Sequence, residues 1–119
     1  MAQPERILQK VIVTELRCNH RDFRFFVYDS KGSFNKKGFF HKNYLIENGM
    51  TDLIGYYKPT KRIIFIEIKY GKGVLNDNQK AMHTSLSKDG VWLKTCWSVQ
   101  DVKDFLDLIR VSEQKTLVN

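Results

Sequence analysis

The sequence has little of what a disulfide-stabilised or zinc-finger protein needs. Its two cysteines, Cys18 and Cys96, belong to no Cys-x-x-Cys pair. Two cysteines are too few for a disulfide scaffold or a cysteine-based zinc site, so we expect free thiols in a reducing compartment. The three histidines, His20, His41 and His83, are scattered. We interpret each of them as a surface or half-buried residue rather than a metal ligand.

Long apolar segments are absent as well. No run approaches the roughly 20 apolar residues that a membrane helix requires. The N-terminal residues lack the basic start, apolar block and small-residue cleavage site of a signal peptide. We therefore expect no membrane partner and a location in the cytoplasm, either of a bacterium or of a cell that hosts a virus or phage.

The composition is that of one ordinary globular domain with a basic excess. Of 119 residues, 42% are hydrophobic and 28% are charged, which suits a single domain over residues 1–119. Lysine and arginine outnumber the acidic residues by 20 to 13, for a net charge of +7. This excess favours a nucleic-acid partner, because basic side chains neutralise phosphates and release counterions. A basic protein without such a partner is the alternative.

The apolar pattern predicts helices and strands in alternation. Pro4 suits the first turn of a helix, and apolar residues follow at helical spacing as far as Leu16. Further predicted elements are strands at 23–28, 52–57, 62–70 and 91–97, and helices at about 76–88 and 98–110. The order α-β-β-β-α-β-α predicts an α/β fold, a mixed sheet flanked by helices, whose central helix joins two parallel strands.

Two charges stand in the most apolar predicted strand. Because side chains alternate between the faces of a strand, Ile64, Ile66 and Ile68 share the core face. Glu67 and Lys69 lie on the other face, although both residue types are depleted in strands. A half-exposed strand with a solvated end would explain them, unless a second carboxylate lies nearby.

A hairpin with residues 58–61 as its loop supplies that carboxylate. Tyr57 then faces Arg62, and counting back along both strands places Asp52 opposite Glu67. Opposed residues have Cβ atoms about 4.5–5.5 Å apart, where like charges repel. A divalent cation such as Mg²⁺ would relieve the repulsion, polarise a phosphate and activate water for in-line attack on a phosphodiester. Lys69 would orient that water or stabilise charge on the phosphate.

Motifs around these residues resemble one nuclease family. They are Gly49–Gly55 (Gly-Met-Thr-Asp-Leu-Ile-Gly), Ile66–Lys69 (Ile-Glu-Ile-Lys), Gly73–Leu75 and Gln79. With Gly90 and the strand after it, they are similar to the VRR-NUC (virus-type replication-repair nuclease) domain of the PD-(D/E)xK superfamily, over about residues 49–105. Two positions depart from the family: Thr51 stands where the family has proline, and Tyr70 where a smaller residue is expected.

The resemblance implies a restriction-endonuclease-like core and an endodeoxyribonuclease that depends on Mg²⁺ or Mn²⁺. Asp52 and Glu67 would be metal ligands, together with the backbone carbonyl of Ile68. Lys69 would be catalytic.

The resemblance also concerns Glu5, Glu15 and Gln79, and it leaves alternatives open for each of them. The family often draws an acid from its first helix. Glu5 matches that position as a metal ligand, and Glu15, on the apolar side of the helix, is its rival. The family's helix glutamine lies near the active site, which makes Gln79 a catalytic candidate. Asn76 lies three residues before it, so a helix capping box alone is the alternative role of Gln79.

The partners follow from the resemblance and the basic residues. Small stand-alone members resemble Holliday-junction resolvases, which implies a homodimer that cuts branched DNA, with two active sites suited to a symmetric junction. Within 30–43, a basic loop or hairpin, lysines alternate with phenylalanines that could contact DNA or pack in the core or a dimer interface. The residues proposed to contact nucleic acid are Lys36, Lys37, Lys42 and Lys72. We interpret Trp92 and Trp97 as core or interface residues.

Two other functions fit parts of this pattern. One is a non-catalytic, basic nucleic-acid-binding module of the same fold. The other is a carboxylate metalloenzyme that acts on small phosphoesters. The intact set of Asp52, Glu67 and Lys69 favours the nuclease over the first of these.

Overall fold

The structure, a computed structural model, describes residues 4–27, 33–34, 40–41 and 49–118. These ranges form an α/β fold with three helices and a four-stranded mixed sheet. Its helices are α1 (Pro4–Asn19), α2 (Asp77–Lys88) and α3 (Val99–Val118), and its strands are β1 (Phe23–Val27), β4 (Leu53–Tyr57), β5 (Arg62–Ile68) and β6 (Trp92–Cys96). Two short strands, β2 (Ser33–Phe34) and β3 (Phe40–His41), pair as a separate hairpin.

The predicted element order is confirmed, with that small hairpin added. The sequence left the segment 30–43 open between a loop and a hairpin, and its described residues, 33–34 and 40–41, pair as antiparallel strands. No helix within the described ranges is long and apolar enough to cross a membrane.

The main sheet has the strand order β1-β4-β5-β6. β4 is antiparallel to both β1 and β5, and β6 runs parallel to β5 after the crossover through α2. The β4–β5 register runs from Tyr57↔Arg62 to Leu53↔Ile66, without a bulge, as the hairpin count predicted. The turn closes where the Lys61 N–H donates to the Tyr57 carbonyl over 2.7 Å, with Lys61 at a φ of +61°.

One face of β5 forms the centre of the core. Ile64, Ile66 and Ile68 are fully buried, and they pack with residues of α1 and α3. The core residues that the helices contribute are Ile12, Leu16, Val102, Phe105, Leu106 and Ile109. The predicted alternation along β5 is therefore correct, and it leaves Glu67 and Lys69 on the opposite face.

The last helix is longer than the sequence predicted. It continues past Arg110 to Val118 because its additional turns have partners on the sheet. Glu113, only 2% exposed, accepts hydrogen bonds from Thr60 Oγ1 over 2.8 Å and from Arg62 Nε over 3.1 Å. These contacts join the end of α3 to the β4–β5 turn.

A second set of contacts joins α3 to the start of β1. Arg110 donates through Nε and Nη2 to the two carboxylate oxygens of Asp22, over 2.7 and 2.9 Å, and lies 5.0 Å above the ring of Phe23. Arg110 Nη2 also donates to His20 Nδ1, so the other ring nitrogen donates to Glu15. His20 is thus buried, contrary to our interpretation, because both of its nitrogens have protein partners.

The Asp22–Arg110 pair makes a testable contribution to stability. Hydrogen bonds from Arg110 hold the pKa of Asp22 below its ordinary value of 3.8. A lowered carboxyl pKa stabilises the fold above the unfolded pKa, and this contribution is lost as the pH falls through the folded pKa. We expect Asp22→Asn to lower the free energy of unfolding by about 1 kcal/mol at pH 7, since the pair is partly exposed to solvent.

Urea unfolding at pH 7 and at about pH 3 measures this effect, because the difference between wild type and Asp22→Asn should shrink at the lower pH. Asp104→Asn, an exposed substitution on α3, is the matched control. A deficit in Asp22→Asn of the same size at both pH values would contradict the ionic origin of the contribution.

Candidate active site

Five polar side chains are buried where β5 ends and α2 begins. They are Asp52, Glu67, Lys69, Gln79 and His83. Glu67 is fully buried and Lys69 is 9% exposed. Burial of charged groups is costly unless they are paired or bind a ligand, so a concentration of them in so small a domain indicates a site.

Asp52 is held against the backbone of β5. It directly precedes β4, and its Oδ2 accepts a hydrogen bond of 2.7 Å from the Ile68 N–H. The preceding Thr51, fully buried, donates through Oγ1 to the Leu53 carbonyl over 3.0 Å, which constrains the chain on both sides of Asp52. The Asp52 carboxylate is therefore fixed at the peptide that links Glu67 to Ile68.

This contact refines the expected pairing of the two carboxylates. The register that places Leu53 beside Ile66 makes Asp52 and Glu67 the next pair along the hairpin. The Asp52 carboxylate accepts its hydrogen bond from the next residue along β5, Ile68. The site therefore includes backbone atoms of β5 as well as its side chains.

Gln79 caps α2 and also contacts Glu67, while its catalytic role stays a prediction. Its Oε1 accepts from the Asn76 N–H over 3.0 Å while its own N–H donates to Asn76 Oδ1 over 2.8 Å, which completes the capping box of α2. Its Nε2 donates to Glu67 Oε1 over 3.4 Å. Because the two ends of one amide serve the two contacts, capping α2 also directs a donor at Glu67.

His83 belongs to this cluster, and sequence reasoning missed it. It is 8% exposed, and its Nε2 lies 3.9 Å from Glu67 Oε1. Burial, and secondly the positive charge of Lys69, lower the pKa of His83. Our interpretation of His83 as a surface or half-buried residue is wrong. The available signal was its spacing of four residues from Gln79, which places both side chains on one face of α2.

A short loop encloses the stem of Lys69. The Lys69 N–H donates to the Cys96 carbonyl over 3.0 Å, and the Gly73 N–H donates to the Tyr70 carbonyl over 2.9 Å. Trp97 Nε1 then donates to the Gly73 carbonyl over 3.0 Å. A Cβ on Gly73 would lie 3.7 Å from the Cβ and Cδ of Lys69, so this loop lies along the lysine side chain.

The two tryptophans differ in their surroundings. Trp97 is 42% exposed, so it is not the core residue that we considered, and its indole instead holds the loop described above. Trp92 is partly buried, and its ring meets Phe105 edge-on at 6.3 Å, which agrees with a place in the core.

The described residues contain no group of three or more histidine, cysteine, aspartate or glutamate side chains that could hold a metal ion. Glu5 lies in the first turn of α1, and its metal-binding role stays a prediction. Glu15 accepts hydrogen bonds from Asn19 and His20, so its contacts serve the end of α1. The structure thus offers Asp52 and Glu67 as the acidic pair.

That pair fits a hard divalent ion. Mg²⁺ commonly takes one or two carboxylates and completes its shell with water and substrate phosphate oxygens. Two buried carboxylates beside a backbone strand provide oxygen donors of that kind, so Asp52 and Glu67 suit Mg²⁺ or Mn²⁺ chemically.

Of the four lysines expected to contact nucleic acid, one is described. Lys72 is exposed in the loop that follows β5. Lys36, Lys37 and Lys42 lie outside the described residues. The backbones of Phe34 and Phe40 belong to the β2–β3 hairpin.

No significant match to the chain was found among protein-family models, curated proteins or solved structures.

Gly49 seats α2 against the site. Its φ is +83°, and a Cβ there would lie 2.3 Å from the Asn78 carbonyl oxygen, a backbone atom of the first turn of α2. Only glycine combines this φ with so close an approach. Gly49 therefore lets the chain that leads to Asp52 lie directly against the first turn of α2.

A pair of glycine variants tests this seating. Gly49→Ala should lower the free energy of unfolding by about 1–3 kcal/mol more than Gly90→Ala does, because it adds a backbone clash to the strain at positive φ. Gly90, at a φ of +78°, has open space around its missing Cβ and is the matched control. Thermal or urea unfolding measures both variants. Equal losses would show that Gly49 does not seat α2 by close contact.

Proposed function

We propose that this chain is a metal-dependent endodeoxyribonuclease with a restriction-endonuclease-like core, selective for branched DNA such as Holliday junctions. The observation that supports it most is the hydrogen bond from the Ile68 N–H to Asp52, which brings a second buried carboxylate to the Glu67–Lys69 end of β5. The resemblance to VRR-NUC nucleases assigns the same three side chains to catalysis.

The departure at Thr51 is compatible with this proposal. Proline before the motif aspartate would restrict the backbone there. The buried hydrogen bond from Thr51 Oγ1 to the Leu53 carbonyl provides a constraint at the same place by different means. The exposed Tyr70 begins the loop that Trp97 holds at Gly73, so its larger side chain has room in solvent.

Asp52, Glu67 and the Ile68 carbonyl are the residues that would hold the divalent ion. When bound, that ion supplies a Lewis acid that polarises the scissile phosphate and lowers the pKa of a water molecule. The two carboxylates fix where the phosphate oxygens can lie. In-line attack would form a bond from the water oxygen to phosphorus and break the P–O bond on the opposite side, with the proton of the water lost to solvent and the departing oxygen taking a proton from solvent.

Lys69 acts on the charge that this attack develops. Lys69 directly follows β5, and strand alternation places it on the same face as Glu67, where it would orient the water or stabilise the phosphate oxygens. Enclosure of its stem by the loop at Gly73 limits the positions it can take. Lys72 in that loop would bind a neighbouring phosphate, and Gln79 would keep the Glu67 carboxylate in place.

Cleavage assays test the proposal directly. Labelled four-way junction, flap and linear duplex DNA are incubated with the protein in Mg²⁺, in Mn²⁺ and in EDTA. We expect metal-dependent cleavage that prefers the junction. Asp52→Asn, Glu67→Gln and Lys69→Met should each reduce it by about 100-fold or more, as losses of electrostatic catalytic groups do. The exposed substitutions Asp89→Asn and Lys115→Met are matched controls and should cleave normally.

The same assays separate the alternatives. Junction binding without metal-dependent cleavage, or wild-type cleavage by Asp52→Asn, would falsify the nuclease and favour a binding module. An enzyme for small phosphoesters should show little salt dependence. DNA affinity should instead fall with salt at a slope of about −0.9 for each phosphate contact.

The proposed homodimer has its own measurement. Light scattering of the protein alone and with a four-way junction should give the mass of two chains, and of two chains with one junction. A dimer places two active sites about a two-fold axis, which suits paired incisions in a symmetric junction. A monomer that binds the junction one to one would contradict this assembly while leaving the cleavage chemistry in place.

A further inference from the structure

The imidazole of His83 is a buried polar group to which the proposed mechanism gives no role. Within the described part of the chain, its Nε2 makes no hydrogen bond, although the side chain is only 10% exposed. Leaving a buried donor or acceptor unsatisfied is unfavourable, because the group has lost its hydrogen bonds to water. Such a group in a folded protein calls for an explanation, and an ion is one of the usual ones.

The geometry of α2 aims this nitrogen at the site. Gln79 and His83 are one helical turn apart, and both face Glu67 Oε1. The amide of Gln79 reaches the carboxylate oxygen over 3.4 Å, whereas His83 Nε2 stops at 3.9 Å. That separation is too long for a hydrogen bond.

This distance lies within the range that two ligands of one ion can span. Ligand atoms about 2.1 Å from a shared metal ion are about 3 Å apart at right angles and about 4.2 Å apart on opposite sides. The distance of 3.9 Å between His83 Nε2 and Glu67 Oε1 lies between these values, so no metal-binding group is preformed among the described residues, and a shift of about 1 Å would bring the two atoms to right-angle positions on one ion.

We propose that His83 Nε2 is a ligand of the divalent ion that Glu67 binds, and that it makes the site prefer Mn²⁺ to Mg²⁺. Mg²⁺ is a hard ion that takes oxygen ligands, so a nitrogen donor adds little to its affinity. Mn²⁺ also takes carboxylate oxygen, but as a first-row transition metal it gains more than Mg²⁺ does from an imidazole nitrogen, although less than the later metals of the row. This inference rests on the proposed function and names which of its two candidate ions the site favours.

Metal titration of the full chain tests it without reference to cleavage. The protein is stripped with EDTA, freed of the chelator, and titrated calorimetrically with MnCl₂ and with MgCl₂. Wild type should bind Mn²⁺ at least about tenfold more tightly than Mg²⁺. In His83→Gln the Mn²⁺ affinity should fall by about 10–100-fold or more, since loss of groups that merely orient a ligand already costs that much. The Mg²⁺ affinity should change little.

Electron spin-echo spectroscopy of bound Mn²⁺ distinguishes a ligand from a positioning residue. Wild type should show coupling to a directly bound imidazole nitrogen, and His83→Gln should lose it. His20→Gln is the matched control, because His20 is a buried imidazole whose nitrogens already contact Arg110 and Glu15. It should keep the nitrogen coupling. His83→Asn provides a second variant, and thermal unfolding confirms that each is folded.

The remaining outcomes overturn either this inference or the proposal beneath it. Mn²⁺ binding that requires Glu67 but shows no nitrogen coupling, or equal losses of Mn²⁺ and Mg²⁺ affinity in His83→Gln, rejects His83 as a ligand and leaves the nuclease proposal intact. If Glu67→Gln binds both ions as wild type does, or wild type binds neither, the metal site itself is wrong and both proposals fail.

Discussion

The hydrogen bond from the Ile68 N–H to the Asp52 carboxylate is the contact on which the site depends. It joins the residue that precedes β4 to the residue that ends β5. It can form only if the two strands keep their bulge-free register, because a shift by one residue would turn Glu67 and Lys69 into the core face. The four-residue turn at 58–61 therefore controls the composition of the site from the other end of the hairpin.

Helix α2 completes the site at little structural cost, since one residue serves both the helix and the site. The capping box needs a residue that accepts from the Asn76 N–H, and Gln79 meets that need with its amide oxygen. The amide nitrogen then has a fixed direction, toward Glu67. Glutamate could also complete a capping box, but it would place a like charge beside Glu67, so the amide is the better choice here.

Contacts within one strand, one hairpin or one helix turn were predictable from the sequence, and contacts between distant elements were not. Alternation along β5, the pairing that leads to Asp52 and Glu67, and the capping box all follow local periodicity. The burial of His83 depends on how α2 packs against the sheet, and the added length of α3 depends on Glu113 reaching Thr60. Those are tertiary contacts, which periodicity does not contain.

The two ends of the sheet differ in their contacts: one has stabilising hydrogen bonds and the other has the candidate site. Asp22 and Glu113 receive the arginine and threonine donors at the end of the sheet where the β4–β5 turn lies. Asp52 lies at the opposite end of β4, about 20 Å away at the usual rise of a strand. Because distant groups contribute nearly independently to stability, the hydrogen bonds of Asp22 and Glu113 near the turn can offset the cost of burying charge at the site. This arrangement lets the site keep Glu67 and Lys69 inside a domain whose core is small.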